Sequence, residues 1–193
     1  MVSVNENGEL KGSNTTFTGP VLIESEGQHS PGSSPGTQTF EDGLSYAAGS
    51  MLNWELIANS VGGAGTSYDF MSLTGGSLLV EDGAIMNLAF SGNGSTVKWS
   101  NGFWDAEHSW IVIDALAAID STGNFTLGVI GDDALGQSLM SVRPTAGFAI
   151  ENSTNNIVLS YSPVAVPEPS TYAMALAGLG CISYAAMRRR IQG

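Results

Sequence analysis

The 193-residue chain holds one cysteine, two histidines and six lysines plus arginines. The single Cys181 excludes an intrachain disulfide and a thiolate zinc site. His29 and His108 are too few for an imidazole-rich metal centre. Cations are scarcer than their total suggests, because three of the six form the run Arg188, Arg189, Arg190. Residues 1–170 therefore set 18 acidic side chains against Lys11, Lys98 and Arg143, a net charge of −15. Such a body repels phosphate backbones, so nucleic acid is not an expected partner. With so few bases and nucleophiles the chain reads as non-enzymatic, with no cofactor and no metal. What is present is apolar material, at 42% of residues, which is too much for an acidic disordered segment. A core is expected.

Residues 1–165 show little sustained helical periodicity but many short runs of period two. Leu52, Trp54 and Leu56 alternate with Met51, Asn53 and Glu55, and Met86, Leu88 and Phe90 repeat the pattern. Val97 with Trp99 and Ile111 with Ile113 suggest two more strands. Further strands are expected at 21–24, 38–40, 68–73, 77–80, 125–129 and 157–161. Pro-Gly, Gly-Gly and Asn-Gly pairs punctuate them as turns. The fold class is all-β.

Glu-Asp-Gly at 41–43 and again at 81–83, each beside strand-like text, gives a weak repeat offset by 40 residues. Strand–Gly corner–strand units suit a solenoid, in which each coil buries its face on the next. A β-sandwich is the alternative. The stretch HSPGSSPGTQTFEDGLSYAAGSMLNWEL, with YDFMSLTGGSLLVEDGAIMNLAF after it, resembles autotransporter-associated β-strand repeat proteins over about residues 28–90. That resemblance implies a parallel β-helix body.

The one long apolar run spans residues 171–187, 17 positions without a charge, and ends on Arg188, Arg189 and Arg190. A helix of that length rises about 25 Å, close to a hydrocarbon core of about 30 Å. A transmembrane helix is therefore expected over 172–187, and the arginines of 188–193 orient it with that end cytoplasmic. A soluble core helix is the alternative. Before it stand Val166, Pro167, Glu168, Pro169 and Ser170, where two prolines forbid both helix and ladder and leave an extended, exposed hinge over 164–171. Motif, apolar helix and basic end, in that order, resemble a PEP-CTERM sorting signal. The resemblance implies export, recognition and cleavage by an exosortase-type membrane enzyme, and delivery to the cell surface or extracellular matrix of a Gram-negative bacterium. Residues 1–163 would be the exported body. Residues 1–10 have neither a basic region nor an apolar stretch, so the chain is expected to be the C-terminal part of a longer one.

Several constellations invite chemistry. Gly32-Ser33-Ser34-Pro35-Gly36 spells G-x-S-x-G, but Pro35 lacks the N–H that an oxyanion hole would use there, so the segment reads as two Pro-Gly turns. Asp105, Glu107 and His108 gather carboxylates and an imidazole, although a solvated loop explains them as well. The pairs Glu41-Asp42, Glu81-Asp82 and Asp132-Asp133 lack a Ca²⁺-loop pattern and read as solubilising corners. Trp99, Phe103, Trp104 and Trp110 are the candidate glycan contact of a polysaccharide-binding or adhesin module. The alternation of Trp99 and Trp110 also fits rings that close the end of a core. An acidic hydrolase groove would need two facing carboxylates, which sequence does not reveal.

Overall fold

A computed structural model describes residues 1–32, 34–116 and 123–164 of the chain. The sorting segment Val166, Pro167, Glu168, Pro169 and Ser170, the span expected over 172–187, and Arg188, Arg189 and Arg190 lie outside the described residues. Among the described residues, no helix is long and apolar enough to cross a membrane. The chain divides into two units, Met1–Pro163 and Val164–Gly193.

In the first unit short strands of three to eight residues follow one another: β1 (Val2–Val4), β2 (Glu9–Lys11), β3 (Thr15–Phe17), β4 (Val21–Ile23), β5 (Gln28–Ser30), β6 (Thr37–Phe40), β7 (Leu44–Tyr46), β8 (Met51–Glu55), β9 (Phe70–Leu73), β10 (Leu78–Val80), β11 (Ile85–Ala89) and β12 (His108–Ala115). They visit three sheets in turn. The first sheet runs β1-β4-β7-β10, and the second holds β2, β5, β8 and β11 as parallel neighbours. The third sheet holds β3, β6, β9 and β12, also parallel. Then the order breaks. β13 (Thr126–Ile130) adds to β11, while β14 (Gly147–Asn152) and β15 (Asn156–Ser162) add antiparallel to the β12 side of the third sheet. A 3-10 turn (Gly102–Asp105) and α1 (Leu139–Val142), one helical turn each, complete the described elements.

Alternation fixes which residues face inward. Val4, Ile23, Tyr46 and Val80 stack in register in the first sheet, all buried. Leu10, His29, Leu52 and Met86 stack in the second, and Phe17, Phe40, Leu73 and Ala115 in the third. The alternations at Leu52, Trp54 and Leu56 and at Met86, Leu88 and Phe90 are inward rows, as read from sequence. Two expectations need correction. Val97 and Trp99 are buried but lie in irregular chain, not in a strand. At Ile111 and Ile113 a register shift intervenes, so Val112 is buried and Ile111 stays exposed.

The 40-residue repeat is also corrected. Register partners sit 19, 23 and then 34 residues apart, as in Val2↔Val21, Val21↔Leu44 and Leu44↔Leu78. The last step is the longest because residues 56–69 are inserted between β8 and β9. Consequently Glu41-Asp42-Gly43 turns from the third sheet to the first, whereas Glu81-Asp82-Gly83 turns from the first to the second. The corner that stacks on Gly43 is instead Gly75-Gly76. A Cβ on Gly76 would lie 2.4 Å from the Gly43 nitrogen, and Gly76 has φ of +69°. Only glycine meets both demands at that corner.

The outer face of the second sheet carries a polar row that closes on itself. Asn53 Nδ2 donates to Gln28 Oε1 and Ser30 Oγ (3.2 Å each), and Asn87 Nδ2 donates to Asn53 Oδ1 at 3.0 Å. The Val129 N–H, freed by a bulge in β13, donates to Asn87 Oδ1 at 2.9 Å. Gly128 makes that approach possible, since a Cβ there would lie 2.3 Å from Asn87 Oδ1.

Candidate functional site

The aromatic residues singled out from the sequence do come together, but inside the protein. Trp99 and Trp104 are 0% exposed and Trp110 is 1% exposed. Trp99 packs edge-on against Phe90 and Trp104, each at 4.7 Å, and Trp104 meets Tyr161 at 4.9 Å. Phe103, half-buried, stacks on His108 at 3.7 Å between centroids. Each buried indole N–H has a fixed acceptor: Trp99 donates to Gln137 O (2.9 Å), Trp104 to Asn59 Oδ1 (2.7 Å) and Trp110 to Ser60 O (2.9 Å). Rings held this way offer no face to a sugar. The glycan-contact expectation for Trp99, Trp104 and Trp110 is therefore corrected: they fill the end of the core, beside the strands that break the cyclic order.

Arg143 locks this end, and sequence reasoning did not pick it out. Its Nε donates to Trp99 O, and its Nη2 to Asn101 O (3.0 Å) and to Asp105 Oδ1 (2.8 Å). The available signal was its solitude, as the only arginine before residue 188. Asp105 is thereby occupied as an ion-pair partner, and His108 Nε2 donates to Phe103 O. Asp105, Glu107 and His108 thus do not converge on a common point, and no group of three metal-ligating side chains occurs among the described residues.

The acidic pairs divide. Glu41, Asp42, Glu81 and Asp82 are exposed corners, although Glu81 Oε2 accepts the Ala48 N–H at 3.0 Å. Asp133 is fully buried instead. Its carboxylate accepts from the backbone N–H groups of Trp99 (3.0 Å), Leu135 (2.9 Å) and Gln137 (3.0 Å), which pins that loop under the aromatic cluster.

Two other buried titratable groups tie neighbouring strands and their flanking segments together. His29 Nε2 donates to Gln38 Oε1 at 2.6 Å, because Gln38 Nε2 already donates to Gly12 O at 2.8 Å. His29 Nδ1 then accepts from the Tyr46 hydroxyl, also at 2.6 Å. Burial holds this imidazole down at about 4, so it is neutral at physiological pH. Burial likewise raises the Tyr46 hydroxyl well above its ordinary value. Asp69 accepts the Gly36 and Glu55 N–H groups at 2.9 Å each, yet burial pushes its carboxyl up to about 8. The Glu55 charge adds to that rise, and burial raises Glu55 as well. In both cases the hydrogen-bond partners are backbone groups or neutral side chains, and both His29 and Asp69 are buried. These are structural polar contacts, and sequence offered no sign of them: His29 sits between Gln28 and Ser30, in a strand with no apolar neighbour to mark it as inward.

A family model for the PEP-CTERM protein-sorting motif matches residues 165–190. No curated protein matches the chain. The match covers Val166, Pro167, Glu168, Pro169 and Ser170 together with Arg188, Arg189 and Arg190. It supports an exported protein whose sorting involves an exosortase-type processing enzyme.

Proposed function

We propose that the chain is a non-enzymatic protein of the cell surface or extracellular matrix of a Gram-negative bacterium, released from a transient membrane anchor by exosortase-type cleavage. The motif match over residues 165–190 carries this reading. The physical logic of the segment agrees with it. Pro167 and Pro169 hold the recognition residues extended, the apolar stretch 172–187 retains the chain in the membrane, and Arg188, Arg189 and Arg190 keep that end cytoplasmic. Cleavage at the hinge leaves residues 1–163 free.

The body is proposed to be a short β-solenoid akin to autotransporter-associated β-strand repeats. What supports this is the strand order, in which four successive turns of chain each supply one parallel strand to each of three sheets. Its buried titratable groups hold coils together, which favours a scaffold over an enzyme. The experiment is to replace Pro167, Glu168 and Pro169 by alanine in the producing cell. The altered chain should stay in the membrane fraction at full length, while the native one is released. Equal release of both would sink the reading.

A further inference from the structure

The outer faces of the second and third sheets each carry a polar row, and the two are built differently. In the second sheet the amides and hydroxyls of Gln28, Ser30, Asn53 and Asn87 satisfy one another from coil to coil. In the third sheet the row in register is Thr16, Thr39, Ser72, Asp114 and Asn156. Among the described residues, the hydroxyls of Thr16, Thr39 and Ser72 have no hydrogen-bond partner. The end of the row is organised. In the amide orientation that satisfies its neighbours, Asn156 donates to Asn155 O and to Asp114 Oδ1, both at 2.9 Å. Both amide hydrogens are thereby used, so what the pair has left to offer is oxygen acceptors. Here the surface is concave: a groove of about 340 Å³ is lined by Ser72, Thr74, Asp114, Leu116, Asn155 and Asn156. Its size falls within the range of small-ligand sites.

An apolar strip runs beside the row. Phe70 points outward from β9, partly buried and in register with Thr37. Ile111 is exposed on β12 and in register with Val158. Successive coils lie about 4.8 Å apart, and Phe70 lies about 7 Å along the strand from Ser72. The face thus repeats a hydroxyl, carboxylate or amide at each coil, with an aromatic ring alongside. Neighbouring oxygen acceptors take hydrogen bonds from sugar hydroxyls, and a ring covers the C–H face of a pyranose. The only charge in the row is that of Asp114, on a body of net −15, so an anionic polymer is repelled.

We propose that the outer face of the third sheet, at Ser72, Asp114 and Asn156 with Phe70 beside them, binds a neutral, hydroxyl-rich glycan strand. This goes beyond the sorting reading and does not depend on it, because its test reads binding and not release. The test uses the 193-residue chain in detergent micelles. The probes are neutral linear hexasaccharides of glucose, β-1,4- and β-1,3-linked, with a hexameric polyuronate for comparison. Saturation-transfer NMR titrations would give the dissociation constants. At least one neutral probe should bind in the millimolar range or tighter. Asp114→Ala and Ser72→Arg should each weaken it about tenfold or more, with thermal midpoints unchanged, while Glu107→Gln on an exposed loop leaves it unaltered. The proposal is overturned if neither neutral probe binds, if both variants bind like the native chain, or if the polyuronate binds as tightly.

Discussion

Asp69 and His29 give the protein an acid–base profile with two opposed parts. For Asp69 the folded carboxyl titrates near 8 and the unfolded one near its ordinary 3.8. Between those values the folded state holds a proton that the unfolded state has released, so stability falls as pH rises through the window. For His29 the folded ring titrates near 4 and the unfolded one near 6.5. Its contribution is therefore lost as pH falls from 6.5 toward 4. The two effects oppose each other below 6.5, and Asp69 acts alone above it. Urea midpoints should be flat from pH 4.5 to 6.5 and then drop toward pH 8, with a slope of up to about 1.4 kcal/mol per unit. In Asp69→Asn the drop above 6.5 should vanish, although the lost acceptor lowers stability at every pH. The histidine network makes a separate prediction. His29→Leu strands Gln38 Oε1 and Tyr46 Oη in the core and should cost about 1–3 kcal/mol. Adding Gln38→Met and Tyr46→Phe removes the stranded groups, and denaturation should show most of that loss recovered.

At the scale of elements, the closing end depends on Arg143 and on the bulge in β13. Arg143→Ala removes three donors from the 99–105 loop and leaves Asp105 without its cation. A loss of about 1.5–3 kcal/mol is expected, with hydrogen exchange faster in β15 and the 99–105 loop than in β4 or β7. Gly128→Ala should act on the other closing strand, because its Cβ collides with Asn87 Oδ1. Exchange protection should then fall first at Val129 and in β11. Elements also show what could be read from sequence. β8 and β11 were legible because five residues suffice to display alternation. The three-residue β4 and β10 were legible because they are apolar throughout, whereas β1, β2, β3 and β5 mix polar residues into three positions, and in β5 the inward residue is His29. The tryptophans looked like a recognition surface because aromatic density is the same whether rings face sugar or one another. Trp99 and Trp104 are buried by irregular chain, which has no period to betray its inward side. The sorting segment was the most legible feature, because prolines, an uncharged stretch and three arginines act through local chemistry and need no long-range contact.

Across the whole molecule, the charge separates into two parts with different roles. Residues 1–170 carry net −15 and the remainder carries three arginines, so loss of the tail makes the exported form more acidic than the full chain at −12. Self-repulsion then favours dispersal of the body outside the cell. The polar rows on its second and third sheets run across the strands, in register from one strand to the next. These roles all presuppose that the tail is removed. The most direct test is mass spectrometry of the C-terminal peptide of the protein recovered outside the cell. The sorting account predicts a C-terminus near residues 166–171, with residues 172–193 absent. Exported protein that still ends at Gly193 would contradict it.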